Sequence, residues 1–247
     1  MLKVFIHVFF RFCGGCLLEN NLNKLFGREN LRGVPGGGWV IKRFFESVLA
    51  SKTVPPGFRE EDVLGVILLL GRSDGPVGRY TVKRKLGLGE ATAKTLLRRL
   101  HGLGIVRPAG RRGHVLTEEG KTIVDIVEGY IAEFKRVPRS DFSLGECDYG
   151  IRFRGLSHLV STGLDQRDQA VAMGADGATT IIVREGRFLV PSVKELEGEE
   201  EEFIRRHFNL EEGDVVVIVS GRDCLSAFKA GLAVAANLIK KVEDGRN

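Results

Sequence analysis

The stretch from Gly87 to Gly104 limits what this chain can fold into more than any other. Ala93, Leu96, Leu97, Leu100 and Leu103 recur there at the three- and four-residue steps of one buried helical face. Gly87, Leu88 and Gly89 ahead of that stripe make a tight turn, and Gly104 behind it ends the helix. The spacing predicts a helix over 90–103. Upstream, 59–71 carries Val63, Ile67 and Leu70 at core spacing, with Glu60, Glu61 and Asp62 where a first turn favours acids. Arg79–Leu86 reads as a short second helix carrying Tyr80, Val82 and Leu86. Downstream, 105–107 and His114–Leu116 read as strands around a turn that contains Gly110, Arg111, Arg112 and Gly113. Thr117 is a good N-cap for a long helix, with Glu118 and Glu119 in its first turn. Ile123, Val127, Tyr130 or Ile131, and Phe134 continue that helix as an apolar stripe, which suits either a dimer contact or packing on its own unit.

Charge follows this division. Residues 59–145 carry 16 Lys/Arg against 11 Asp/Glu, whereas 146–247 carry 13 against 18. From Pro76 to His114 there are 10 basic residues and one acid, Glu90. A field of one sign over so short a stretch attracts polyanions.

Three helices with a tight second turn, followed by a hairpin, are the element order of a winged helix. The run GLGEATAKTLLRRLHGLGIV, its hairpin and LTEEGK resemble MarR-like and other prokaryotic winged-helix regulators. That resemblance implies double-stranded DNA as partner, bound by a homodimer. At 100° per residue, Ala91, Thr95 and Arg98 lie opposite the leucines, with Lys94 and Thr92 beside them. Short polar and Arg side chains on that face are what reach base edges and phosphates in a major groove. Lys83, Arg84 and Lys85 would grip backbone, and Arg111 and Arg112 at the wing tip suit a minor groove. The competing readings are a protein-interaction module and, because no aromatic platform is visible, less readily an RNA binder.

Beyond 138–145, which reads as a joint, strands are expected at 149–153, 178–184, Arg187–Val190 and 215–220. Helices are expected near 166–173, 199–208 and 223–240. The order βαββαβα suits a small two-layer α/β sandwich, ferredoxin-like or ACT-like, so the fold class is α+β. The domains are then 1–57, a poorly ordered extension or a mis-assigned start; 58–137, the winged helix-turn-helix with its trailing helix; and 146–241, an effector-binding or assembly domain. The whole 59–240 layout also resembles archaeal proteins that join a winged helix to a C-terminal domain of unknown function and end like Gly221–Gly231 here. The resemblance implies a regulator, expected to be a repressor, and no established ligand or activity.

Ser220, Gly221, Arg222 and Asp223 join a buried strand to a helix, where free backbone N–H groups and a helix dipole would suit a small anionic effector. The plainer reading is a strand–helix turn with Ser220 or Asp223 as N-cap. Arg152 and Arg154 share a strand face, either solvent-facing or a pocket wall. An enzyme would need Ser220, Arg222 and Asp223 within reach of Asp165, Asp168 or His158; no P-loop, GxSxG or dinucleotide fingerprint is present, and no catalytic set is assigned. Cys13 and Cys16 have metal or redox spacing but no second pair nearby, so neither metal nor cofactor is expected. Cys147 and Cys224 read as buried thiols, with a bridge between them open to a heat-adapted protein; Gln166 and Gln169 being the only glutamines favours such a source. No apolar run is long enough for a membrane span, and a cytoplasmic location is expected.

Overall fold

Apolar periodicity organises the first half of the chain into helices. A computed structural model describes residues 38–51 and 54–242. Helix α1 (Gly38–Leu49) buries Val40, Ile41, Phe44, Phe45 and Val48, one continuous stripe at helical spacing. This corrects the expectation of an extension over that part of 1–57: two buried phenylalanines on one face dock α1 into the core. Residues 1–37, with Cys13 and Cys16, lie outside the described residues.

Helices α2 (Glu60–Gly71), α3 (Arg79–Leu86) and α4 (Glu90–Gly102) follow where the leucine and valine spacing predicts them. Gly87 turns the chain between α3 and α4 at φ +65°, a left-handed conformation that costs other residues dearly. Strands β1 (Val106–Pro108) and β2 (His114–Leu116) pair antiparallel around a 3-10 turn, Gly110–Arg112. Val77 adds a bridge on the far side of His114 through two backbone hydrogen bonds of 2.8 and 2.9 Å. Thr117 caps α5 (Glu118–Tyr130), its Oγ1 accepting from the Gly120 N–H at 3.1 Å.

The expected long helix after the hairpin stops at Tyr130, and Phe134 sits on strand β3 (Ile131–Val137) instead. Arg154 closes that helix end by donating from Nη1 to the carbonyls of Glu128 and Gly129. A charged donor here satisfies carbonyls that would otherwise be orphaned and suits the negative end of the helix dipole. The remaining elements are β4 (Cys147–Phe153), α6 (Leu164–Ala172), β5 (Gly177–Arg184), β6 (Arg187–Val190), β7 (Lys194–Glu195), α7 (Gly198–His207), β8 (Val215–Gly221) and α8 (Cys224–Lys240). The chain is therefore α+β.

Apart from the β1–β2 hairpin, the described strands form one sheet in the order β3-β4-β8-β5-β6-β7, with every neighbouring pair antiparallel. Strands β4 and β5, joined through α6, run parallel with β8 between them, a split βαβ unit, but β8 and not the hairpin strand β6 fills that place, so the strand order is not that of a ferredoxin-like or ACT-like sheet. Nor is the sheet a simple two-layer sandwich. Val215, Val217 and Val219 face α8 and α6, while Val216 and Ile218 face a second cluster with Phe142, Ile204 and Phe208. Burial on both faces is why β8 reads as an unbroken apolar run and not as an alternation.

Helix α8 lies between this sheet and the N-terminal helices. It packs on β4, β8 and α6 and, on its other side, on α2 and α1. Consequently one hydrophobic core runs from Ile67 and Leu96 through Leu232 to Val217. Cys147 and Cys224 form a disulfide, which resolves the open choice in favour of a bridge. Arg152 is neither solvent-facing nor on a pocket wall; it is buried, with Nε 2.8 Å and Nη2 2.7 Å from Oδ2 of Asp214, itself 2% exposed. Without Asp214, the buried Arg152 would keep only the longer contacts to Glu133 at 3.9 Å and Glu211 at 3.8 Å. Asp214→Ala is therefore expected to lower unfolding stability by roughly 3–5 kcal/mol, read by urea denaturation. A loss below the scatter of surface substitutions would show the pair to be dispensable. At Gly120 a Cβ would come 2.1 Å from the Ile105 carbonyl oxygen, a backbone atom that cannot swing aside. Gly120→Ala should cost about 1–3 kcal/mol in the same assay, where the usual preference for alanine in a helix predicts a gain.

Candidate nucleic-acid interface

The leucine stripe of α4 turns inward and leaves its other side open. Ala93, Leu96, Leu97 and Leu100 are buried, whereas Ala91, Lys94 and Arg98 are exposed and Thr92 and Thr95 are half-buried. Arg98 and Arg99 are neighbours with opposite fates. Arg99 donates from Nη1 to the carbonyls of Val48 and Ala50, at 2.8 and 2.7 Å, and closes the end of α1. Arg98 stays on the surface. Lys83, Arg84 and Lys85 on α3 and Arg111 and Arg112 on the hairpin tip are exposed as well, so each residue assigned by sequence to this surface is solvent-accessible to some degree. The tip is closed by the Ala109 N–H on the Gly113 carbonyl at 2.8 Å, which holds the two arginines on a tight turn.

Three features of this surface were not singled out by sequence. Tyr80 on α3 is 61% exposed, with the Arg79 guanidinium 4.6 Å from its ring centroid. Arg79 also bonds Glu90 Oε1 at 2.8 Å and holds that carboxyl below the usual carboxylate range. The one acid of the basic stretch is thus locally paired. Finally, Arg107 is exposed on β1 and lines a groove of about 600 Å³ with Ser73, Asp74, Leu116 and Lys121. Arg79 and Arg107 were legible as charges; their placement depends on the fold of the turn and hairpin.

The strand–helix turn at the start of α8 is closed to the anion expected there. Ser220 is fully buried and donates its Oγ hydrogen to Asp148, while accepting from the Leu144 N–H at 3.1 Å. Gly221 is buried too, its carbonyl accepting from Glu146 N–H at 3.0 Å. Asp223 Oδ1 takes the N–H groups of Leu225 and Ser226 at 2.9 Å each, and those bonds hold its carboxyl below the ordinary value. The helix is capped by its own carboxylate. Arg222 remains exposed beside it. Asp165 pairs with Lys241 at 2.9 Å, Asp168 with Arg167 at 3.2 Å, and His158 Nδ1 lies 3.0 Å from the Gly155 carbonyl. None of these partners is Ser220 or Asp223, and Asp165 meets Lys241 at the opposite end of α8 from Asp223. The apolar stripe offered for dimerisation is likewise turned inward: Ile123, Val127 and Ile131 are each buried in the core of their own chain. No group of His, Cys, Asp or Glu among the described residues has the arrangement of a metal site, and no described helix is long and apolar enough to cross a membrane.

Set against known proteins, this layout is that of a two-domain archaeal family. Residues 60–122 match the PH0730-like N-terminal domain, and residues 144–238 match a domain of unknown function, DUF4443. The chain belongs to the family of the hypothetical protein PH0730 from Pyrococcus horikoshii OT3. The solved structure of that relative is 30% identical, with a TM-score of 0.59 over 73% of this chain and 92% of its own. No curated protein matches the chain.

His114 lies at the seam of the hairpin, between Val77 and Pro108. Burial, and then the nearby His101 ring at 6.3 Å, push its imidazole below the ordinary histidine value, and its buried Nδ1 has no hydrogen-bond partner. The unfolded chain therefore takes up this proton first. The stabilisation from neutral His114 is present above about pH 6.5 and is lost as pH falls through the lower folded value. The thermal midpoint should drop between pH 7 and pH 5 less steeply in His114→Phe than in the parent chain. Equal slopes would remove His114 from the pH response.

Proposed function

We propose that the chain is a DNA-binding transcription regulator, with residues 58–137 carrying a basic winged helix-turn-helix unit and α4 as its recognition helix. The carrying observation is the split of α4 into an anchored leucine face and an exposed Ala91, Lys94 and Arg98 face. A groove-reading helix needs both: rigidity from its buried side, and short or basic side chains on the approaching side. Gly78 and Gly89, which precede α3 and α4, bring no side-chain acceptor to the first-turn N–H groups, and these donors suit phosphate. The wing-tip Arg111 and Arg112 lie on the hairpin that follows α4, and the Val77 bridge ties that hairpin to the start of α3. Together these features favour double-stranded DNA over a protein surface, which would not need arginines at the tip. In this reading the chain acts as a repressor and, at a two-fold symmetric operator, as a homodimer. Its second domain sets the geometry of the two recognition helices.

A salt series with the full chain and double-stranded genomic fragments tests this. Affinity should fall steeply with salt while one fragment stays preferred. Absence of binding even at low salt would overturn the proposal. Arg98→Ala and Lys94→Ala should each weaken binding by about 1–3 kcal/mol with the fold intact, and loss of a phosphate contact should shallow the salt slope by roughly one. Unchanged binding in both variants would show that another face meets DNA.

A further inference from the structure

The disulfide sits at one end of a short mechanical path to the turn between α3 and α4. Cys224 is the first residue of α8, and its bridge to Cys147 closes a sequence separation of 77 residues and pins that helix end to the start of β4. The next residue, Leu225, is 43% exposed and leans on Gly87. A methyl carbon built on Gly87 would meet Leu225 Cδ2 at 2.8 Å, so the leucine already fills the space beside that left-handed glycine. Gly87 in turn sets how α4 leaves α3. Cys147 is 3% exposed, whereas Cys224 is half-buried at the surface end of the bridge.

We propose that the Cys147–Cys224 bond is a redox switch on the candidate DNA-binding surface, acting through Leu225 on the Gly87 turn. The inference rests on the regulator reading above and names how that surface is controlled. A dithiol reductant supplies two electrons and two protons. The S–S bond breaks, Cys147 and Cys224 become thiols, and the dithiol closes to its own disulfide. The first turn of α8 then loses its covalent tie to β4 and keeps the Asp223 cap and the packing of Ala227, Leu225 no longer bears on Gly87 in one fixed place, and α4 loses a restraint on its entry angle. Packed elements pass on such small shifts because they have few intermediate arrangements. A plain staple would also lower the melting temperature on reduction, so thermal stability is not the diagnostic readout.

The test compares the full chain, air-oxidised and after dithiothreitol, on the fragment preferred in the salt series. Oxidised protein should bind about tenfold more tightly, within the usual range of coupling between sites. The Cys147→Ser, Cys224→Ser double variant should bind as the reduced chain does, with or without reductant, which separates this bond from Cys13 and Cys16. Leu225→Ala should keep the disulfide and lose the difference between the two states. Equal affinity of oxidised and reduced parent chain overturns the switch. Hydrogen exchange at the amides of 87–90 distinguishes this failure from failure of the DNA reading. Faster exchange on reduction supports the path even where neither state binds DNA, and unchanged exchange overturns it.

Discussion

The rest of the structure depends on how closely α8 is approached from two sides. Gly231 lets Phe134 and Ile151 come so near that a Cβ would stand 2.9 and 3.1 Å from their ring and methyl carbons. On the opposite side, Leu232 fills the space left by Gly65 of α2, together with Leu86. Ala227, Ala230, Ala233, Ala235 and Ala236 keep the remainder of the helix narrow and buried. A helix that buries apolar residues on most of its circumference is a core element. Here it joins two separately matched domains into one packed body, and close-packed interiors transmit displacement poorly tolerated elsewhere.

Charges orient that contact. Lys229 reaches Asp62 at 3.5 Å, Lys240 bonds Glu60, and Lys241 pairs with Asp165, so α8 carries cations towards the acidic first turn of α2 and the start of α6. Glu61 in the same turn is buried, and desolvation pushes its carboxyl above the usual range. Acids favoured by the helix dipole are here also drawn under the facing helix. Most of these pairs are partly exposed and contribute modestly to stability. Their geometric effect is larger, since exchanging the faces of α8 would leave Asp62 buried without a cation.

The same economy separates structural from available charge on the basic side. Arg99, Arg154 and Arg152 are committed to helix ends and to a buried carboxylate. Lys83, Lys94, Arg98, Arg111 and Arg112 stay in solvent, which is what an electrostatic approach to a polyanion requires.

Helices α2, α3 and α4, the hairpin and the strands β4, β5, β6 and β8 were legible because local periodicity, caps and glycine turns all act within a few residues. The exposed face of α4 followed from its leucine spacing alone. Helix α1 was equally legible at Val40, Ile41, Phe44, Phe45 and Val48 but was masked by the glycine-rich stretch before it. The tertiary structure decided what local signals do not encode. Pairing made β3 a strand where an apolar stripe suited a helix, and it set β8 between β4 and β5. It joined Cys147 to Cys224, buried Arg152 against Asp214, and buried Ser220 against Asp148. Each of these depends on residues far apart in sequence meeting in space, and the free energy of such meetings is set by packing, not by any window of the chain.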